Sequence, residues 1–269
     1  MSAKGIYAAL SGAMAQSQRL DTIANNLANA NTTGFKKDGQ VFSEYVTANE
    51  KYPDSTTIPR VTASIDSFYD MQGGDRSYVD SKGTYSDFSQ GPLKNTGNNL
   101  DVAVEGKGFF EVQTPSGVQL TRNGAFKLDS QGRLVSSDGY PILKAGAGPA
   151  AGRTIQLQSG NVTVGYSGDI FDGDHPIGKL SVVNVDNRDA LQKVGSTLYA
   201  LKPNYNLTTH PAGHFKLHQG FLEMSNVNIV DEMTQMIQAS RTFEADRNSI
   251  RAFDQMDDKL VNVVPKVNP

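Results

Sequence analysis

Residues 6–27 read IYAALSGAMAQSQRLDTIANNL, and within them Ile6, Leu10, Ala13, Ser17, Leu20, Ala24 and Leu27 recur at alternating spacings of four and three. That spacing keeps one stripe on one side of a slightly underwound helix. Ile229, Met233, Met236, Ser240, Phe243, Arg247 and Ile250 repeat the pattern at the other end of the chain. Ala13, Ser17, Ala24, Ser240 and Arg247 make both stripes thin. A helix with so little apolar face is marginal alone in water. Each end therefore needs a partner helix, as the subunit of a polymer would have.

Working inward from these ends, the first helix is expected from about Ala3 to about Thr32, with Gly34 suited to the left-handed position beyond it. Asn25, Asn26, Asn29 and Asn31 weaken its last turns, because Asn is a poor helix former. Two readings of this Asn cluster stand: an exposed, fraying end, or a buried amide network that fixes register against neighbouring chains. Residues 35–90 are rich in Ser, Thr, Asp and Gly and read as an extended linker with short strands. Gln72-Gly73-Gly74-Asp75 reads as a turn or flexible joint within it.

From Gly91 to about residue 204 the pattern turns to short strands with frequent turns, a β-meander, sandwich or open barrel. Pro115-Ser116-Gly117 marks one turn. Asn123-Gly124, between Gln119-Leu120-Thr121 and Phe126-Lys127-Leu128, predicts a hairpin because both residues tolerate positive φ. Residues 205–225 read as a return linker. A second helix is expected from about Asn226 to Val263, roughly 55 Å at helical rise, with a tail marked by Pro265 and Pro269. The expected class is α+β: residues 1–34 and 226–269 supply helices that form a coiled-coil-like domain, and the β-rich middle is inserted between them.

The chain has 269 residues, 38% of them apolar, and a formal net charge of −3. A near-neutral balance argues against nonspecific nucleic-acid binding. No run reaches the length of a membrane-spanning helix. The first residues lack the basic-then-apolar pattern of a cleaved secretory signal. With no cysteine, a disulfide framework and a thiolate metal site are both excluded. Residues 222–264 hold eight acidic and four basic side chains, against one acidic and two basic in residues 1–34. That opposition favours pairing of the ends, weakly, since exposed charge contacts are worth little.

The motifs of chemistry fall away one by one. His210, His214 and His218 have the spacing of helical metal ligands, but Pro211, Gly213 and Gly220 oppose a helix and no acid lies between them. The run Gly146–Gly152 has the glycine of a phosphate loop without its Gly-Lys-Ser/Thr, and Pro149 removes an amide donor. Asp169, Asp172 and Asp174 miss the EF-hand spacing. No G-x-S-x-G elbow occurs. Met224, Met233, Met236 and Met256 read as helix packing. No catalytic, cofactor-binding or metal-ligating residue is therefore expected, and no cofactor.

The segment Ala24-Asn25-Asn26-Leu27-Ala28-Asn29-Ala30-Asn31-Thr32-Thr33-Gly34-Phe35-Lys36 resembles the N-terminal motif of bacterial flagellar rod and hook proteins. Further matches follow in that family's order. They are Ser89-Gln90-Gly91-Pro92-Leu93, Thr96-Gly97, Leu100-Asp101-Val102-Ala103-Val104, Gly106-Lys107-Gly108-Phe109-Phe110 and Thr121-Arg122-Asn123-Gly124-Ala125-Phe126. Asp129, Gly132, Leu134 and Asp138-Gly139-Tyr140-Pro141 continue them. Gln219-Gly220-Phe221-Leu222-Glu223, Ser225-Asn226-Val227-Asn228, Glu232-Met233 and Arg241-Thr242-Phe243-Glu244 are similar to the C-terminal block. Ala15–Asp21 and Gln238–Glu244 are most similar to the proximal rod type, with the distal rod type second. Asp246 departs from the pattern, where rod proteins often carry Asn.

The resemblance implies a structural subunit of the flagellar basal-body rod. Its terminal helices would pack into the inner tube of a hollow helical polymer that crosses the periplasm, transmits torque and conducts exported subunits. It implies as partners copies of itself, other rod proteins and the flagellar type III export apparatus, with no nucleic acid, small-molecule substrate or membrane insertion. Assembly is expected to run through Ile6, Leu10, Leu20, Ala24, Asn25, Asn26, Leu27, Asn29, Ile229, Met233, Met236, Phe243 and Ile250. The competing class is a secreted β-domain adhesin or enzyme with a helical stalk, which predicts a concave polar pocket within residues 91–204.

Overall fold

In the computed structural model, α1 spans Ser2–Ala28 and α2 spans Ile229–Val263. The structure describes residues 2–47, 76–146, 148–157, 162–202 and 210–263. The expected Gln72–Asp75 joint and the tail from Pro265 lie outside the described residues.

α1 stops four residues short of the expected Thr32, and the Asn cluster is the cause. The Asn29 side chain donates to Asn25 O at 2.9 Å, and the Asn29 amide is shared between Asn25 O and Asn26 O at 3.2 Å. Ala30 and Thr32 then bond three residues back, to Leu27 O and Asn29 O. Such tightened bonds satisfy a helix end without continuing it. Gly34 does adopt a positive φ, of 70°, but in the turn beyond, where its amide donates to Glu223 O at 2.8 Å. α2 begins where Asn228 caps it: the Asn228 Oδ1 accepts the Val230 amide at 3.1 Å and the Asp231 amide at 3.4 Å. Asp231 and Glu232 in the first turn suit the positive end of the helix dipole.

Between the helices, β1 (Asp38–Thr47) and β2 (Arg76–Ser86) form a two-stranded sheet. β3 (Leu93–Asn95), β4 (Val102–Gly106), β5 (Phe109–Thr114), β6 (Gly117–Thr121), β7 (Lys127–Leu128) and β8 (Leu134–Val135) follow. Then come β9 (Val162–Val164), β10 (Asp169–Asp172), β11 (His175–Lys179), β12 (Val182–Asn184), β13 (Leu191–Val194) and β14 (Leu198–Leu201). β15 (His210–Pro211), β16 (Phe215–Gln219) and β17 (Phe221–Glu223) complete the series.

Among the described residues the largest sheet is antiparallel, in the order β13-β14-β6-β5-β12-β15. β9, β10 and β11 make a three-stranded sheet. Residues 215–223, within the segment expected as a return linker, pair as strands with the middle: β16 with β4 and β17 with β3.

Asn123-Gly124 does not form the expected hairpin. β6 pairs with β5 and β14, while β7 pairs with β8. Gly124 instead lies against strand β4, where its carbonyl accepts the Val102 amide at 3.0 Å. A Cβ there would fall 1.7 Å from Val102 O, so the glycine serves a close backbone approach rather than a turn. The β5–β6 hairpin turns at Pro115-Ser116, with Thr114 opposite Gly117.

The chain divides into two compact units. One comprises Met1–Ala24, Gly39–Thr84 and Met233–Pro269; the other comprises Asn25–Asp38 and Tyr85–Glu232. The second unit thus holds the last turn of α1 and the first turn of α2 together with the β-middle. Its core has two apolar clusters. Val102, Val104, Phe110, Val112, Phe126, Ile142 and Ile155 belong to one, and Phe109, Leu120, Val183, Val185, Leu191 and Tyr199 to the other. Adjacent Phe109 and Phe110 point to opposite faces of β5, so this strand is buried on both sides.

Candidate functional site: a buried clasp and the terminal helices

Four sequence segments meet at Glu223. Lys36 Nζ donates to Glu223 Oε1 at 2.6 Å and to Ser89 O at 2.6 Å. Arg122 Nη1 donates to Glu223 Oε2 at 3.2 Å, and its Nη2 to Gly106 O at 2.7 Å. The Gly91 amide adds a bond to Glu223 Oε1 at 3.0 Å. The guanidinium lies 5.1 Å from the centre of the Phe109 ring. The side chains of Lys36, Glu223 and Arg122 are 1%, 0% and 4% exposed. One carboxylate thus faces two cations in a dry site, and burial lowers the proton affinity of both Lys36 and Arg122 against the pull of Glu223.

Beside this clasp lies a second network. Asn26, 1% exposed, donates to Asp38 O and accepts the Asp38 amide, both at 2.9 Å, and reaches Glu232 Oε2 at 3.3 Å. Lys37 pairs with Glu232 at 2.5 Å. Burial opposes the Lys37 charge, but Glu232 and Asp231 outweigh it and hold the ammonium above its ordinary value. Lys193 pairs with Asp38 at 2.7 Å and lies 3.7 Å over the Phe35 ring. Asn226 accepts the Lys37 amide at 2.8 Å and donates to Asp87 O at 2.9 Å. This amide and ion network closes within one chain.

The segments quoted above as separate motifs therefore converge here: Asn26 to Lys36, Ser89 to Gly91, Gly106 to Phe109, Arg122 to Asn123, and Glu223 to Glu232. Thr33 Oγ1 bonds Asn123 Oδ1 at 2.9 Å across the same junction. Sequence reading missed Glu223, Lys36 and Arg122 as one site. The only hint was a charge beside apolar runs, as in Gly34-Phe35-Lys36 and Phe221-Leu222-Glu223.

Of the residues expected at the assembly interface, Asn26 is buried in this network. Asn29 is half-buried and folds back on Asn25, which is exposed. Ile6, Leu20, Leu27, Met236, Phe243 and Ile250 are half-buried; Leu10, Ala24, Ile229 and Met233 are exposed. Among the described residues, Ala13, Ala15, Ile23 and Ala239 are the buried apolar residues of the two helices within the first unit. In that unit Gly12 faces Asp246, whose Oδ2 lies 3.4 Å from the position a Cβ on Gly12 would take. Burial raises the proton affinity of the Asp246 carboxyl.

His210 pairs with Asn184 in the six-stranded sheet, whereas His218 lies on β16, its Nε2 2.6 Å from Glu105. Among the described residues no three His, Asp or Glu side chains gather as metal ligands, and no helix is long and apolar enough to cross a membrane. A concavity of about 570 Å³ is lined by Glu111, Arg153, Ser181, Val183, Pro211 and Phe215, among others. The Glu111 carboxylate there is held by Arg153 at 2.7 Å and Ser181 at 2.6 Å.

Comparison with known proteins gives a consistent result along the chain. Residues 6–36 match the family described as flagella basal body rod protein. Residues 103–171 match the flagellar hook protein FlgE/F/G D1 domain, and residues 218–263 the flagellar basal body rod FlgEFG protein C-terminal. The basal-body rod protein FlgF of Caulobacter vibrioides is 33% identical over 264 residues, 98% of each chain. FlgG of Bacillus subtilis is 34% identical over 274 residues, covering 97% of this chain and 98% of its own. FlgF of Mesorhizobium japonicum is 32% identical over 263 residues, covering 96% and 97%. With similarity of this depth over nearly its whole length, the chain belongs to the flagellar basal-body rod protein family of FlgF and FlgG.

Proposed function

We propose that this protein is a structural subunit of the flagellar basal-body rod, joined to copies of itself and to other rod proteins through its terminal helices. The observation that carries the reading is full-length similarity to rod proteins, combined with terminal helices that leave Leu10, Ile229, Met233 and Ile237 exposed. Helices with large apolar side chains in water favour assembly. In this reading the helices pair as a coiled-coil-like tube wall. The clasp around Glu223 and the Asn26 network hold the last turn of α1 and the first turn of α2 to the β-middle within the second unit. Export proceeds through the flagellar type III apparatus, and the assembled shaft lies in the periplasm.

The reading is tested with Ile250→Asp in a flagellated bacterium lacking its own copy. A carboxylate stranded in a dry helix contact costs several kcal/mol. Expression and export should persist while rods and swimming are lost. Normal swimming would remove the terminal helices from the assembly role.

A further inference from the structure

Residues 5–18 and 233–240 carry no charged side chain, yet both lie on helices with exposed positions. On α1, Tyr7, Leu10 and Met14 are 58%, 44% and 59% exposed. Their spacing places them on one face, about half a turn from buried Ile23 and Asn26 at ~100° per residue. On α2, Met233 and Ile237 are 51% and 55% exposed, about a third of a turn from buried Ala239. A solvent-facing helix surface is ordinarily charged and polar. These two faces are not; Leu10 and Met233 lie at the exposed edge of the heptad stripes, whose members Met236, Phe243 and Ile250 are half-buried.

We propose that Tyr7, Leu10 and Met14 form a docking stripe for a second copy of this chain, whose Met233 and Ile237 seat on it. The proposal rests on the rod reading above and specifies which helix faces meet between subunits. The two stripes match in chemistry and in their lack of charge. Their helices are complementary in net charge: α1 carries Lys4 and Arg19 against Asp21, while acids outnumber bases seven to four along α2. The stripes are different surfaces of one chain. A contact in which each copy offers one stripe to the next copy and the other stripe to the copy before it is heterologous and repeats along a series of subunits, as a helical polymer requires.

The absence of cysteine permits a direct test. The double variant Leu10→Cys/Ile237→Cys is expressed in a bacterium lacking its own copy, and purified basal bodies are oxidised. The expected result is a ladder of disulfide-linked multimers of this chain, at least tenfold more abundant than with Ala8→Cys/Glu244→Cys. A lone adduct to a different rod protein, or no ladder in basal bodies that do contain the chain, overturns the stripe pairing and leaves the rod reading standing. Absence of the wild-type chain from basal bodies removes the rod reading itself. In parallel, Leu10→Lys should leave the melting of purified monomer unchanged, because the site is exposed, and reduce incorporation into rods at least tenfold. Incorporation at the wild-type level overturns the proposal.

Discussion

Lys36 and Glu223 stand 187 positions apart, and their side chains meet at 2.6 Å with essentially no exposure on either side. Arg122 completes the pair from a third segment. The pairing places the segment following α1, the strand preceding α2 and the middle of the β-fold at one point.

Removing Glu223 should therefore be costly. Glu223→Ala leaves Lys36 and Arg122 buried without their carboxylate, and breaking such a pair from one side costs about 3–5 kcal/mol. Denaturant unfolding of purified monomer reads this directly. In a double-mutant cycle, Lys36→Met should cost much less when Glu223→Ala is already present. A loss below about 1 kcal/mol for Glu223→Ala would show that water reaches the site.

Two glycines offer a contrast. An added Cβ at Gly124 would meet Val102 O, whereas at Gly213 nothing lies within 4 Å. Gly124→Ala should destabilise by about 3 kcal/mol, the upper range of overpacking. Gly213→Ala should be neutral or stabilise by about 0.4–1 kcal/mol through the unfolded chain. Paired melting curves decide it; equal melting temperatures for the two variants would contradict the close approach.

Asp246 sets a pH dependence in the helical unit. Burial raises its folded-state proton affinity above the ordinary value of 3.8. The folded chain then holds this proton more tightly than the unfolded chain, so the contribution is full below pH 3.8 and is lost as pH rises through the folded value. Asp246→Asn should abolish this dependence. Compared with the Asn variant, the wild-type chain should lose helical stability as pH rises above about 3.8, measured by far-UV circular dichroism on heating. Parallel curves for the two proteins would show that the carboxyl is fully hydrated in the fold.

Protease boundaries should follow the networks. Asn26 and Glu232 are buried together in the second unit, beyond the limits that the helix pattern alone marks at residues 34 and 226. Brief digestion of monomer should leave a fragment from about residue 25 to about residue 232, with ends mapped by mass spectrometry. Cleavage between Asn26 and Lys36 at the earliest times would mean the network does not hold in solution.

The sequence by itself determined that helices bound a β-rich middle, because the spacing of apolar side chains and the turn residues are local properties of the chain. It also carried family membership, through motifs such as Ala24–Lys36 and Gln219–Glu223. It did not determine where α1 ends, since side-chain bonds from Asn29 compete with the helix there. Nor did it settle the role of Asn123-Gly124, which has the composition of a hairpin turn. Tertiary structure decided that role by bringing Val102 against Gly124, more than twenty residues away in sequence. Tertiary structure likewise decided that Lys36, Arg122 and Glu223 are one site. A charge is read from sequence as solvated until the fold removes its water, and only then does it require the partners that lie far along the chain.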